Sequence, residues 1–180
     1  MYVHIPKTGG SSISHILNKV EGTESLATHG SVIEVKDNIS DYYKFTIVRN
    51  PFTRFLSEYF HQKRKKLTNK NFEYYIKTVD TKGLHLIPQS YYVNAMMDKS
   101  KELTYIAKYE NYINEVTSLF KKININEIIP HRNRNPIYDT HPDLNQEKYY
   151  NSFYTKEWMK DWIREKYKDD FKIFNYGLDT

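Results

Sequence analysis

Residues 2–13, YVHIPKTGGSSI, decide how the rest of the chain is read. Tyr2 to Ile5 is a short apolar run with a β-branched residue, closed by Pro6, and it reads as a buried strand. Ser11 and Ser12 are N-cap candidates for a following helix, because Ile13, Ile16, Leu17 and Val20 fall at i, i+3, i+4 and i+7. Between strand and helix stand Lys7, Thr8, Gly9 and Gly10. Two glycines let the backbone come close to a ligand, and the free N–H groups at a helix start favour an anion. A lysine and several hydroxyls add charge and donors, so the segment predicts a phosphate cradle. The nucleotide triphosphate loop GxxxxGK[ST] places its lysine after the last glycine. Here Lys7 precedes both glycines and the next lysine is Lys19, so that loop is a poor match.

The same design recurs downstream. Phe45, Ile47 and Val48 read as a second core strand, and Asn50 caps a helix with Pro51 at its first position. Phe52, Phe55, Leu56, Tyr59 and Phe60 form the buried stripe of that helix. Further helices are expected over residues 71–78 and 89–97, a third strand over Leu103–Tyr109, and a helix capped by Asn111 and carrying Ile113, Val116 and Phe120. Glu21–Ser25 reads as a polar break and Val32–Ile39 as a short helix. Residues 81–88 and 130–142 read as loops. Thr155 is the expected cap of a last helix with Trp158, Met159, Trp162, Ile163 and Tyr167 on its apolar face. Strands alternating with helices predict an α/β fold, a P-loop-like parallel sheet flanked by helices, in a single domain spanning residues 1–180.

At 180 residues the chain can bury one substantial core, and 17 Tyr with 9 Phe make that core aromatic. A formal charge of +5 points to an anionic partner: a nucleotide, an acidic glycan or nucleic acid. With no cysteine, a disulfide scaffold and a cysteine nucleophile are excluded. No apolar run approaches the ~18 residues of a membrane span, and no signal-peptide core precedes the first strand. The expectation is a soluble, cytoplasmic enzyme or a trimmed domain.

The wording around the glycines, HIPKTGGSSI, resembles the 5′-phosphosulfate loop of the membrane-type (carbohydrate) sulfotransferases, HIPKTGGTS. THGSVIEVKDNISDYYKFTIVRNPFTRFLSEYFH is similar to that family's histidine loop, connecting helix and FxFVRNPxxRxxSxY block. QSYY, IAKYEN, PHRNRN and the closing EKYKDDFKIFNY have weaker counterparts in the same order. The resemblance implies transfer of a sulfuryl group from 3′-phosphoadenosine 5′-phosphosulfate (PAPS) to a hydroxyl of a carbohydrate or other small acceptor. The alternatives are a nucleotide-dependent kinase, for which no Mg²⁺ carboxylates are found, and a basic non-catalytic nucleic-acid-binding protein, the less favoured partner class.

Arg49 stands where a core strand ends and a helix begins, the side of an α/β sheet on which ligands bind, and it can clamp a phosphate in bidentate fashion. The resemblance implies that Arg49 and Ser57 hold the 3′-phosphate. It also implies that Lys7 neutralises the departing phosphate and that Thr8, Gly9, Gly10, Ser11 and Ser12 supply donors. His29, in the loop Thr28-His29-Gly30, is the candidate general base, since a neutral imidazole with a pKa near ~6.5 accepts a proton without large tuning. Glu34 is the reserve base. Arg132 and Asn133, in a loop that departs from the family wording, carry a cofactor role by resemblance only. His4 reads as a packed core histidine, and the run His61-Gln62-Lys63-Arg64-Lys65-Lys66 as a helix end suited to the dipole or an acidic-ligand surface. The histidines show no HExxH-type spacing, so no metal is expected.

Overall fold

The strands expected at the N-terminus and at residues 45–48 pair directly, Tyr2 with Phe45 and Val3 with Thr46, in the computed structural model of the protein, which describes residues 1–21, 23, 25–26, 42–100, 103–129 and 145–179. Two compact units are present, Met1–Arg49 with Gln89–Asn133, and Asn50–Pro88 with Arg134–Thr180.

The first unit holds a parallel sheet in the order β2-β1-β3-β4, formed by β1 (Tyr2–Val3), β2 (Ser25–Leu26), β3 (Phe45–Val48) and β4 (Tyr105–Lys108). Parallel neighbours need crossover connections, here including α1 (Gly10–Leu17) after β1 and α4 (Gln89–Ser100) before β4. Every residue of β1 and β3 is buried, as expected of inner strands covered on both faces. β4, at the edge, is buried only at Ala107. Thr46 tolerates its place in β3 because its hydroxyl donates to the Val3 carbonyl at 2.8 Å. Ile13, Ile16 and Leu17 of α1 and Val116, Leu119 and Phe120 of α5 (Tyr112–Lys122) close over Tyr2, Phe45 and Ile47. The α/β parallel architecture read from the sequence is therefore present.

In the second unit, α2 (Pro51–Arg64) is capped as expected: the Asn50 side chain accepts from the Phe52 N–H, and Pro51 takes the first position. Its buried stripe packs with α3 (Phe72–Thr78), α6 (Gln146–Asn151), α7 (Glu157–Lys166) and α8 (Lys168–Ile173) in a core dominated by aromatic rings. Edge-on pairs such as Phe52–Tyr154 (5.3 Å, 79°) and Phe55–Trp162 (5.4 Å, 61°) are the geometry that aligns ring edges with ring faces. Two of the buried phenols reach main-chain carbonyls: Tyr154 donates to Phe52 at 2.7 Å and Tyr167 to Leu86 at 2.8 Å.

Several local expectations are corrected. The strand expected over Tyr2–Ile5 pairs only at Tyr2 and Val3. Ser11 and Ser12 are not caps: Gly9 is, and the helix begins at Gly10, because the turn is completed by the left-handed Gly9 (φ 84). The polar break at 21–25 leads into β2, a two-residue strand created by pairing with β1 rather than by β propensity. The third strand is shorter than expected, and Tyr109–Asn111 turns as a 3-10 helix before α5. Asn111 holds the cap position of α5, yet its side chain accepts from Asn114 at 2.7 Å instead of from a helix N–H. Thr155 does not cap the last helix. Lys156 occupies that position, Thr155 Oγ1 lies 3.9 Å from Met159 Sδ, and Tyr167 (φ −116, ψ 24) breaks the expected single helix into α7 and α8. The short helix at 32–39 and the loop at 130–142 lie outside the described residues, as does the histidine loop. Among the described residues, no helix is long and apolar enough to cross a membrane.

Candidate active site

The sheet order reverses between β1 and β3, and both strands deliver their C-terminal ends there. That is the switch point at which open α/β sheets bind ligands. The loop Lys7–Ser12 follows one strand end and Arg49 the other, and the structure joins them: Arg49 Nη1 donates to the Lys7 carbonyl at 3.2 Å.

Lys7 and Gly9 both have positive φ, 71° and 84°. For a lysine this conformation costs on the order of 1–2 kcal/mol, and such strain accumulates where a turn is held for a purpose. The turn ends in α1 with no side-chain cap and no acidic residue in the first turn. The N–H groups at the start of a helix without a side-chain cap, and the positive end of its dipole, favour an anion there.

The glycines are needed for a reason the sequence did not reveal. A Cβ on Gly9 would meet Tyr112 Cε2 at 2.7 Å and Tyr109 Cε2 at 3.1 Å. One on Gly10 would meet His4 Cδ2 at 2.1 Å and the Tyr2 hydroxyl oxygen at 2.5 Å. The protein's own rings approach this backbone. Tyr112 also donates its hydroxyl to the Gly9 carbonyl at 3.0 Å, and His4 is buried and stacked on Tyr2 (5.7 Å, 21°), as expected of a core histidine. Burial pushes the Tyr112 phenol above its ordinary value, opposed by a hydrogen bond with the Ser12 hydroxyl, so it stays protonated as a donor. The Thr8 hydroxyl donates to Ile5 at 2.8 Å, and Ser12 N–H to Gly9 at 3.2 Å. Of the loop's side-chain hydroxyls, that of Ser11 is on an exposed residue, while Thr8 and Ser12 are buried.

Arg49 is only 3% exposed, which excludes a surface ion pair as its explanation. Its guanidinium carbon lies 4.2 Å from the centroid of the Tyr109 ring, a cation–π arrangement that orients the fork. Gln89, fully buried, accepts from the Arg49 N–H at 2.8 Å and donates to the Arg49 carbonyl at 2.7 Å. Gln89, Tyr109 and Tyr112 were missed as site-building residues. The signal for Gln89 and Tyr109 was their place in QSYY and IAKYEN, and Tyr112 directly follows the second of these.

Ser57 lies on α2 in the second unit, half-buried. His29, Glu34, Arg132 and Asn133 lie outside the described residues. Lys63, Arg64, Lys65 and Lys66 of the basic run are exposed at the end of α2, where cations suit the negative end of the dipole.

A glycine turn opening a helix at the switch point of a parallel sheet, beside a buried arginine, is an arrangement suited to an anion. The chain matches the family model for the sulfotransferase family over residues 1–177 and belongs to that family. It is thus a transferase of the sulfuryl-transfer class. No curated protein and no solved structure matches it.

Proposed function

We propose that the protein transfers the sulfuryl group of PAPS to a hydroxyl of a carbohydrate or other small acceptor, without a metal in the transfer step. The observation that carries this reading is the strained Lys7–Gly9 turn opening a helix with no side-chain cap beside the buried guanidinium of Arg49. The donor set fits a ligand with two phosphate-type ends. Lys7, the Ser11 hydroxyl and the N–H groups of Thr8, Gly9 and Gly10 serve the 5′-phosphosulfate, and Ser12 braces the loop through Tyr112. Arg49 serves the 3′-phosphate, and Arg132 and Asn133 the nucleotide. PAPS supplies an electrophilic sulfur with a phosphate leaving group. The acceptor oxygen attacks that sulfur in line, the bond from sulfur to the phosphate oxygen breaks, and both its electrons leave with the product PAP. His29 takes the acceptor's proton, and Lys7 neutralises the charge that builds on the departing phosphate.

Thermal shift with PAP, ATP and a single-stranded oligonucleotide tests the cofactor class by binding linkage. A rise of several degrees with PAP alone supports the reading. A rise with ATP and Mg²⁺ instead, or with the oligonucleotide alone, overturns it. A screen of sugar and small-hydroxyl acceptors with labelled PAPS then identifies the acceptor.

A further inference from the structure

Helix α2 carries Glu58 and His61 three residues apart, so their side chains leave neighbouring turns of one face. Glu58 is 3% exposed, a rare position for a carboxylate unless it is paired or bound. Its Oε1 accepts from Gln62 Nε2 at 3.0 Å, and its Oε2 lies 2.8 Å from His85 Nδ1. The rings of His61 and His85 lie 5.7 Å apart, centroid to centroid. One ligand atom from each of Glu58, His61 and His85 lies within 4.8 Å of the other two.

His85 is held in place by its backbone. Arg54, 2% exposed, donates from Nη2 to the His85 carbonyl and from Nη1 to the Ile87 carbonyl, each at 3.0 Å. Tyr167 donates to the carbonyl of Leu86 between them, and Leu86 is itself buried. Two imidazoles and a buried carboxylate are thus preorganised inside the second unit.

We propose that Glu58, His61 and His85 form a binding site for a divalent transition-metal ion of the Zn²⁺ class, with water completing a four-coordinate shell. Two histidines and a carboxylate are a donor set that zinc takes, whereas imidazole is a poor ligand for Mg²⁺ or Ca²⁺. Bonds of about 2.0–2.1 Å in a tetrahedron set neighbouring donors roughly 3.4 Å apart. The 2.8 Å Glu58–His85 pair and the 4.8 Å limit of the cluster lie on either side of that spacing, so side-chain adjustments suffice. The ion takes the place of the hydrogen between Glu58 Oε2 and His85 Nδ1: that proton leaves to solvent and Nε2 carries the ring's one remaining N–H, so His85 ligates as a neutral imidazole. Gln62, still on Oε1, orients the carboxylate. Arg64 Nη2, 3.4 Å from His61 Nδ1, is the neighbouring cation, and its exposure lets solvent and salt screen its repulsion. The site joins α2 to the 85–87 segment and acts on the stability of the second unit, not on sulfuryl transfer.

The test is titration of the chelator-stripped full chain with ZnCl₂ by calorimetry, and with Co²⁺ by visible absorption. One equivalent should bind with the intense spectrum of four-coordinate Co²⁺, and Zn²⁺ should raise the melting temperature. His61→Gln and His85→Gln, each checked for native circular dichroism, should lose at least tenfold in affinity, since even outer-shell partners are typically worth 10–100-fold. His15→Gln, on α1 in the first unit, should bind as the parent does. Absence of stoichiometric binding by the parent would overturn the proposal. So would parental affinity in both cluster variants, which would assign the binding to other groups.

Discussion

Gly10→Ala isolates the packing on which the Lys7–Gly10 turn depends. The added Cβ would lie 2.1 Å from His4 Cδ2, 2.2 Å from His4 Nε2 and 2.5 Å from the Tyr2 hydroxyl oxygen, where ordinary contact begins near 3.4 Å. The overlaps are therefore 3.4 − 2.1 = 1.3 Å, 3.4 − 2.2 = 1.2 Å and 3.4 − 2.5 = 0.9 Å. Neither ring can withdraw freely, because Tyr2 is 0% and His4 8% exposed. Overpacking of this kind costs about 1–3 kcal/mol, and three simultaneous overlaps place it near the upper end. Alanine returns about 0.5–1 kcal/mol of backbone entropy in α1, leaving a net destabilisation of about 2 kcal/mol. The assay is the urea midpoint of parent, Gly10→Ala, His4→Ala and the double variant. The double variant should be more stable than the sum of the single effects allows, with a coupling of about 1–2 kcal/mol, because the methyl group occupies space the imidazole vacates. A parental midpoint for Gly10→Ala, or strict additivity in the cycle, would refute the reasoning.

Arg49→Ala should weaken PAP binding by at least ~1.5 kcal/mol, the lower range for a charged hydrogen bond, and equal calorimetric affinity would remove Arg49 from the site. His29→Ala should bind PAP normally yet lose roughly 10²–10⁴ in kcat, with the parental rate falling at low pH as the imidazole takes up a proton. Turnover within a few-fold of the parent on a verified acceptor would sink that assignment and turn attention to Glu34. Tyr105 donates its hydroxyl to Glu115, and that carboxylate, with burial second, pushes the phenol up to about 12. A folded value above the unfolded ~10 means that its contribution to stability is complete below about pH 10 and is lost as pH rises toward 12. Urea midpoints across that window should fall more steeply for the parent than for Tyr105→Phe, and parallel curves would count against the linkage.

The elements legible from residue order alone were those set by short-range physics. Phe45, Ile47 and Val48 put apolar side chains on both faces of one short strand, and Asn50 with Pro51 satisfies and shapes the first turn of a helix from within two residues of it. The Lys7–Gly10 turn and Arg49 after the second strand were likewise readable, because strand, turn and helix signals lie side by side in the chain. Tertiary structure alone decided why those glycines are glycines: the rings that exclude a Cβ at Gly9 belong to Tyr109 and Tyr112, a hundred residues away in sequence. It also decided that Gln89 would pair with the main chain of Arg49 across 40 residues, and that β2 would exist at all, since two residues become a strand only beside a partner's ladder. The same holds for His85, which meets Glu58 27 residues away because Arg54 and Tyr167 bind the carbonyls around it. Periodicity and caps are properties of neighbours along the chain. Which distant side chain fills a given space is settled only when the core packs, and residue spacing carries no record of it.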